Sequence, residues 1–255
     1  MRPRFRILFA ALLICTCLIV AAVAWGAETL TFHASFTPDE LGASTNFSAT
    51  GRFGSTTPGL PAPVSEVKGY LPAGVKIDVH GAGTCTAATL EEDGPTGCPA
   101  DSRAGFGGGV GLLELAKEII HEPFTVDIFL GPSEDGHLVF LTYVDAVSPA
   151  EVELVLKAKE IAAPKPYGLG FSVEVPPIPT LPGASDASVE SAFLTFGSKN
   201  VAYYGMVHGK RKLLHVKGIV IPKTCPHGGF PVQGDIAFAD GTTTTANTTI
   251  PCPHS

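Results

Sequence analysis

The apolar/polar alternation with a period of two, which recurs along most of the chain, constrains it more than any other feature. In TLTFHASF, Leu30, Phe32, Ala34 and Phe36 share one face while Thr31, His33 and Ser35 take the other. A backbone that sends successive side chains to opposite sides is a β-strand, and one with a single buried face reads this way. EVELVLKAK repeats the pattern, with Val152, Leu154, Leu156 and Ala158 opposed to Glu151, Glu153, Lys157 and Lys159. The segments 124–130, 137–144, 168–175 and 212–221 continue it. Turn residues separate these runs: Pro38-Asp39, then 72–74, 131–136 and 176–183. Strands at intervals of roughly 8–14 residues describe an all-β protein, an antiparallel β-sandwich of jelly-roll or Ig-like type with about 12 strands.

One segment competes with that reading. Across 110–121, Leu112, Leu113, Ala116, Ile119 and Ile120 fall at helical spacing among good helix formers, so one short helix is the alternative there. The glycine-rich GFGGGVG just before it and the β context on both sides favour strand. No fixed-period repeat divides the chain. Residues 25–255 are expected to form a single β-sandwich domain, the alternative being a split at the proline-rich stretch 175–183.

The first residues read as an export segment. Arg2, Arg4 and Arg6 precede an apolar run from Ile7 to Trp25, and Ala22 and Ala24 offer an A-x-A cleavage site. Residues 1–24 are therefore a signal peptide or, uncleaved, an N-terminal membrane anchor through 7–25; the remainder faces outward either way. Without 1–24, 14 basic residues stand against 24 acidic ones, a net charge of −10. Nucleic acid and anionic lipid both demand a positive footprint, so neither suits such a chain. The one basic run, GKRKLLH at 209–215, reads as a solvated turn.

Four cysteines follow the export segment: Cys85, Cys98, Cys225 and Cys252. An even number in an exported chain reads first as disulfides. Asp240-Gly241 between two extended runs signals a hairpin. If Ala239 pairs with Thr242, Cys252 falls opposite Gly229 and so within reach of Cys225. Cys85 and Cys98 flank a polar loop that a local bridge would close. Loop-closure entropy assigns about 3 kcal/mol to the shorter loop and about 3.6 to the longer. The tripeptide Cys-Pro-His occurs at both C-terminal cysteines, so Cys225, His227, Cys252 and His254 form the competing tetrahedral zinc set. An oxidising exterior and a site one residue from the terminus argue for the disulfide, with no metal.

Catalytic patterns are missing. FGSTTPG, LGPSEDG and LGFSVEV each lack the glycines of a nucleophile elbow. IIHEPF begins like a zinc-protease helix, but Pro123 follows and position 125 is Thr. The acidic stretches 91–94 and 133–136 lack the alternation of a calcium loop and read as solvated turns. His33, His80, His121, His137, His208 and His215 are scattered. Asn46 and Asn247 head N-x-S/T sequons, expected to be chance matches in a chain with a bacterial-looking export signal.

YLPAGVKIDV with CPADSRAGFGGG, then VEVPPIPTLPGASDASVE, and finally CPHGGF with IAFADGTTTTANTTIPC carry four short motifs across most of the chain. In these the chain resembles a group of exported, uncharacterised proteins of high-GC Gram-positive bacteria. The resemblance implies an exported β protein and transfers no functional residue. The expected function is that of a secreted or cell-envelope binding module, non-catalytic and without cofactor, whose partner is a protein or a glycan. The alternatives are an extracellular hydrolase assembled from distant residues and a metal-binding protein using the two Cys-Pro-His ends.

Overall fold

The computed structural model describes residues 28–253 apart from 57, 179 and 198–200. The expected export segment and His254 lie outside the described residues. Four strands come first: β1 (Glu28–Thr37), β2 (Ser44–Ser55), β3 (Val64–Pro72) and the short β4 (Lys76–Asp78). A helix, α1 (Ala87–Asp93), precedes a run of longer strands: β5 (Arg103–Leu115), β6 (Glu118–Leu130), β7 (Val139–Ala146), β8 (Val152–Ile161) and β9 (Tyr167–Glu174). Then come β10 (Ser188–Phe196), β11 (Ala202–Val207), β12 (Lys210–His215), β13 (Gly218–Val220), β14 (Phe230–Phe238) and β15 (Thr243–Ile250).

The fold is the all-β antiparallel sandwich that the alternation implies, with fifteen described strands in place of about twelve. The excess comes from β4 and β11, too short for alternation to register, and from the division of the run 212–221 into β12 and β13. One sheet runs β15-β14-β3-β9-β8-β7-β6-β5-β10-β2, with β13-β4 and β1 both attached to β2. It folds over so that β1 packs beside β15, with no ladder between them among the described residues. β9 and β10, on either side of the proline-rich stretch, belong to this same sheet.

The helix alternative at 110–121 does not occur. β5 and β6 pair from Gly105↔Ile128 to Leu115↔Glu118 and turn through Ala116 and Lys117 at φ 52° and 71°. Helix propensities differ by well under 1 kcal/mol per residue, and pairing along eleven positions outweighs them. Neither turn residue is the Asn or Gly that usually marks such a two-residue turn, so the sequence conceals it. Three of the four inward glycines of β5, Gly105, Gly107 and Gly109, have a steric reason. A Cβ on Gly107 would strike the Phe193 carbonyl oxygen, and one on Gly109 that of Ser191 and the Phe124 ring. β10 crosses β5 too closely for side chains there.

The helix lies instead at 87–93, where a plain loop was expected. Thr86 Oγ1 accepts from the Thr89 N–H at 3.1 Å, and Gly94 ends the helix at φ 63°. Leu90, wholly buried, plants α1 on the outer face of the sheet against Phe129, Val139 and Leu141. Threonine four residues before an internal leucine, then glycine and proline, were the signals available. The Cys85–Cys98 disulfide closes around this helix.

Cys225 and Cys252 are also bonded, with Cα atoms 5.8 Å apart. The C-terminal hairpin reaches them by a register one residue away from that expected. Ala237 pairs with Thr243 and Phe230 with Ile250, so the loop has three residues, 239–241. Gly241 takes φ 85°, the left-handed residue that a three-residue hairpin places before its second strand. The run 212–221, expected as one strand, is divided between β12 and β13 in different sheets, and GKRKLLH is mostly strand with Gly209 in the turn.

Candidate functional site

The space between the layers is a cavity, and the pairing register shows how it arises. Across β6, β7 and β8 the inward residues form four successive rungs. Phe124–Ala146–Val152 lies at the end where the described chain begins, here the upper end. Val126–Val144–Leu154 and Ile128–Thr142–Leu156 come next, and Leu130–Phe140–Ala158 lies at the lower end. A sandwich core is most deeply buried at its middle. Here the second rung is half-buried throughout, while Ala146 and Val152 above it and Leu130 and Phe140 below it are fully buried. Leu194, level with the buried Ala49 on β2 and sharing its face, keeps 37% of its surface accessible. Apolar side chains that face inward yet are left unpacked line a void.

That void measures about 460 Å³ and is lined by residues from β1, β2, β3, β5, β6, β7, β8, β9, β10 and β14. Such a volume lies within the range of small-molecule sites. Its lower end is filled by a cluster in which Ile219, Ile221 and Val75, from the connections around β4 and β13, pack against Phe36, Phe47 and Phe230. Phe36 meets Phe47 at 5.9 Å and Phe230 edge-on at 5.8 Å, so the floor is a tight aromatic stack.

Its upper end is crossed by the proline-rich stretch. The Val175 N–H donates to Ser65 O on the β3 side, and the Ser185 N–H donates to Glu114 O on β5. Between these anchors Ile178 and Leu181 pack onto Ala146, Ala150 and Val152. A second loop reaches the same end. Ser188 Oγ donates to Pro61 O, and the Ala62 N–H donates to Glu28 Oε1. What sequence reading treated as a possible boundary is a strap over the cavity's end.

Polar groups inside are few. Thr142 sits on the third rung, and Thr180 and Ser188 lie near the strap. Glu122 is the single carboxylate among the lining residues, only 6% exposed, with Oε1 accepting the Ala150 N–H at 3.0 Å. Lys68 also borders the cavity, but its ammonium turns to Glu66 on the outer face at 2.7 Å. That hydrogen bond raises the Lys68 pKa, the one displaced value among the lining residues; the other groups with displaced pKa are elsewhere. The Lys68 hydrogen bond, then that of Ser172, holds Glu66 below the usual range. The Lys157 hydrogen bond does the same for Glu134, and Thr242 for Asp240. Burial pushes Tyr143 and Tyr167 upward. None of these five lines the cavity.

The residues singled out by sequence fall as follows. All four cysteines are consumed in the two disulfides, so the zinc set loses both thiolates; His227 is exposed beside the bond. No group of three metal-ligating side chains converges among the described residues. His121 pairs with Glu190 at 2.9 Å on the surface, and His137 lies 3.9 Å from Glu160. His80 packs edge-on against Tyr203. Glu91 to Asp93 ride on α1 and are not in a turn, while Glu134, in the second acidic stretch, pairs with Lys157. The cavity itself was missed, because a lining leucine and a core leucine obey the same alternation. No helix among the described residues is long and apolar enough to cross a membrane. No protein-family model and no curated protein matches the chain.

Proposed function

We propose that this protein is an exported, non-catalytic binding module of the cell envelope or secretions, and that its ligand is apolar: a hydrocarbon chain or a comparable lipid moiety held between the layers of the sheet. One observation carries the reading, the half-buried rung Val126–Val144–Leu154 inside the folded-over sheet. Hydrocarbon entering this space leaves water for an apolar lining and gains about 0.8 kcal/mol per methylene. A glycan would lose water from each hydroxyl with almost nothing to replace it, at roughly 2–7 kcal/mol per unpaired group. The ligand class thus departs from the protein or glycan that sequence suggested. Two disulfides fit an oxidising compartment and support the exported setting. Glu122, beside the strap, gives the upper end a polar contact, so an amphiphile would lie with its head there and its tail toward the phenylalanine floor.

Thermal unfolding with a series of long-chain alcohols and amines, set against soluble oligosaccharides, tests this. Saturable binding should stabilise the fold by about 2.7 kcal/mol at a ligand concentration of a hundred times Kd. At about 2–4 °C per kcal/mol for a domain of this size, Tm rises by about 5–11 °C. A rise with an oligosaccharide, and none with any alkyl ligand, overturns the proposal.

A further inference from the structure

The hairpin β11–β12 stands apart from the rest of the molecule in both structure and charge. It forms a two-stranded sheet of its own, hydrogen-bonded to no strand of the main sheet among the described residues. Its tip is a tight two-residue turn through His208 and Gly209 at φ 51° and 74°. One face is moored. Tyr203 lies over Gly81 and edge-on to His80. The other face holds the register pairs Tyr204↔Leu213 and Met206↔Arg211. Tyr204 is 63% exposed, Met206 70% and Leu213 53%, three of the four most exposed large apolar side chains among the described residues, gathered on one small surface. The Arg211 guanidinium lies 4.3 Å over the Tyr204 ring, which holds the charge beside the apolar group.

Charge sets this segment against its own protein. Residues 201–217 contain Lys210, Arg211, Lys212 and Lys217 and none of the 24 acidic residues. Lys217 is 3.3 Å from Asp78, whereas no carboxylate pairs with the other three cations among the described residues. A basic tip on an otherwise acidic molecule complements an anionic partner locally, since charges beyond a Debye length of about 10 Å at 0.1 M salt are largely screened.

We propose that the β11–β12 hairpin is a docking element for an anionic lipid surface. Tyr204, Met206 and Leu213 enter the headgroup boundary with Arg211 on their own face, while Lys210 and Lys212, paired with Val207 and Gly205 on the opposite face, are exposed and add their charge from the edge of the hairpin. An acidic protein is the other anionic partner in reach, but the apolar face argues for lipid. A tyrosine, a methionine and a leucine with long basic side chains on the same short hairpin are the residues that settle at a bilayer interface. The inference stands on observations separate from the cavity. The hairpin leaves the sheet at the lower end, so docking keeps the strapped end free.

The test is co-sedimentation of the exported protein with vesicles of phosphatidylglycerol and phosphatidylcholine, compared with phosphatidylcholine alone, at low and high salt. The ratio of the two partition coefficients removes any contribution of the apolar N-terminus, which acts on both membranes. Wild type should prefer the anionic vesicles and lose that preference in high salt. Each basic residue at such a surface is worth about 1 kcal/mol, about fivefold, so K210Q/R211Q/K212Q should lower the preference by about a hundredfold. Y204S/M206S/L213S, which keeps all three charges, should weaken binding severalfold at both salt concentrations. Uptake of an alkyl probe into the cavity should be unchanged in both variants, which separates failure of this proposal from failure of the cavity reading. An unaltered anionic preference in the triple glutamine variant overturns it. So does binding of the wild type to polyglutamate but not to vesicles, which would make the partner an acidic protein.

Discussion

Val144→Phe distinguishes a cavity from a core by the sign of its effect. Val144 is in the half-buried rung between Val126 and Leu154 and lines the cavity. If that level is void, the larger ring occupies space that nothing else fills, and cavity filling stabilises by about 0.5–2 kcal/mol. Tm should then rise, by about 2–4 °C for each kcal/mol. The same ring excludes ligand. Displacing about three methylenes at about 0.8 kcal/mol each removes about 2.4 kcal/mol of binding energy, which is about fiftyfold in Kd. Stability and affinity therefore move in opposite directions. Calorimetric melting of the ligand-free protein, with titration of a fluorescent alkyl probe, reads both. Were the rung packed core, the added atoms would strain it and cost about 1–3 kcal/mol, with no effect on the probe. A lowered Tm with an unchanged Kd would refute the cavity reading.

Reduction of the Cys225–Cys252 bridge should destabilise the fold by about 3.6 kcal/mol in the chain-entropy account, read as a shift in the denaturant midpoint. A chelator should leave that midpoint where it is, and loss of stability on chelation, restored by zinc, would return the Cys-Pro-His pair to metal binding. Acid should erode the C-terminal hairpin through Asp240, whose Oδ1 accepts from the Thr242 N–H at 2.9 Å and the Thr242 hydroxyl at 2.7 Å. Those bonds hold its pKa below the ordinary value in the folded state, so their stabilisation is complete above the unfolded value of about 3.9 and is lost as pH falls through the lower folded one. The stability difference between wild type and Asp240→Asn should therefore be constant above about pH 5 and change only below about pH 4; a difference that is flat throughout would remove Asp240 from the account.

The legible parts of this molecule are those that local chemistry determines. Alternation gave the strands because a half-buried strand cannot hide its period. Asp240-Gly241 placed the C-terminal hairpin, and with it the Cys225–Cys252 bond, even though the loop proved one residue longer than a minimal turn. A slip of one residue changed which side chains face inward but moved Cys252 by only one position, so the bond tolerated the error. The turn at Ala116-Lys117 was illegible because its left-handed residues are held by the ladder on either side and not by their own preference. In the same way α1 was passed over although Thr86, Leu90 and Gly94 announced it, because it is two turns long and buries a single side chain.

The cavity belongs to a different kind of illegibility. Nothing in Val126, Val144 or Leu154 distinguishes a residue that packs against the opposite layer from one that faces a void; the distinction lies in the distance between layers. Here that distance is set by parts remote in sequence. The inward glycines of β5 let β10 turn sharply, the connections through Ile219 and Ile221 fill the lower end, and Ile178 and Leu181 cross the upper one. Each resembles ordinary turn or core chemistry by itself. Together they close both ends of an interior that the ten lining strands leave unfilled, and this combination, not any single residue, makes an apolar ligand the fitting occupant.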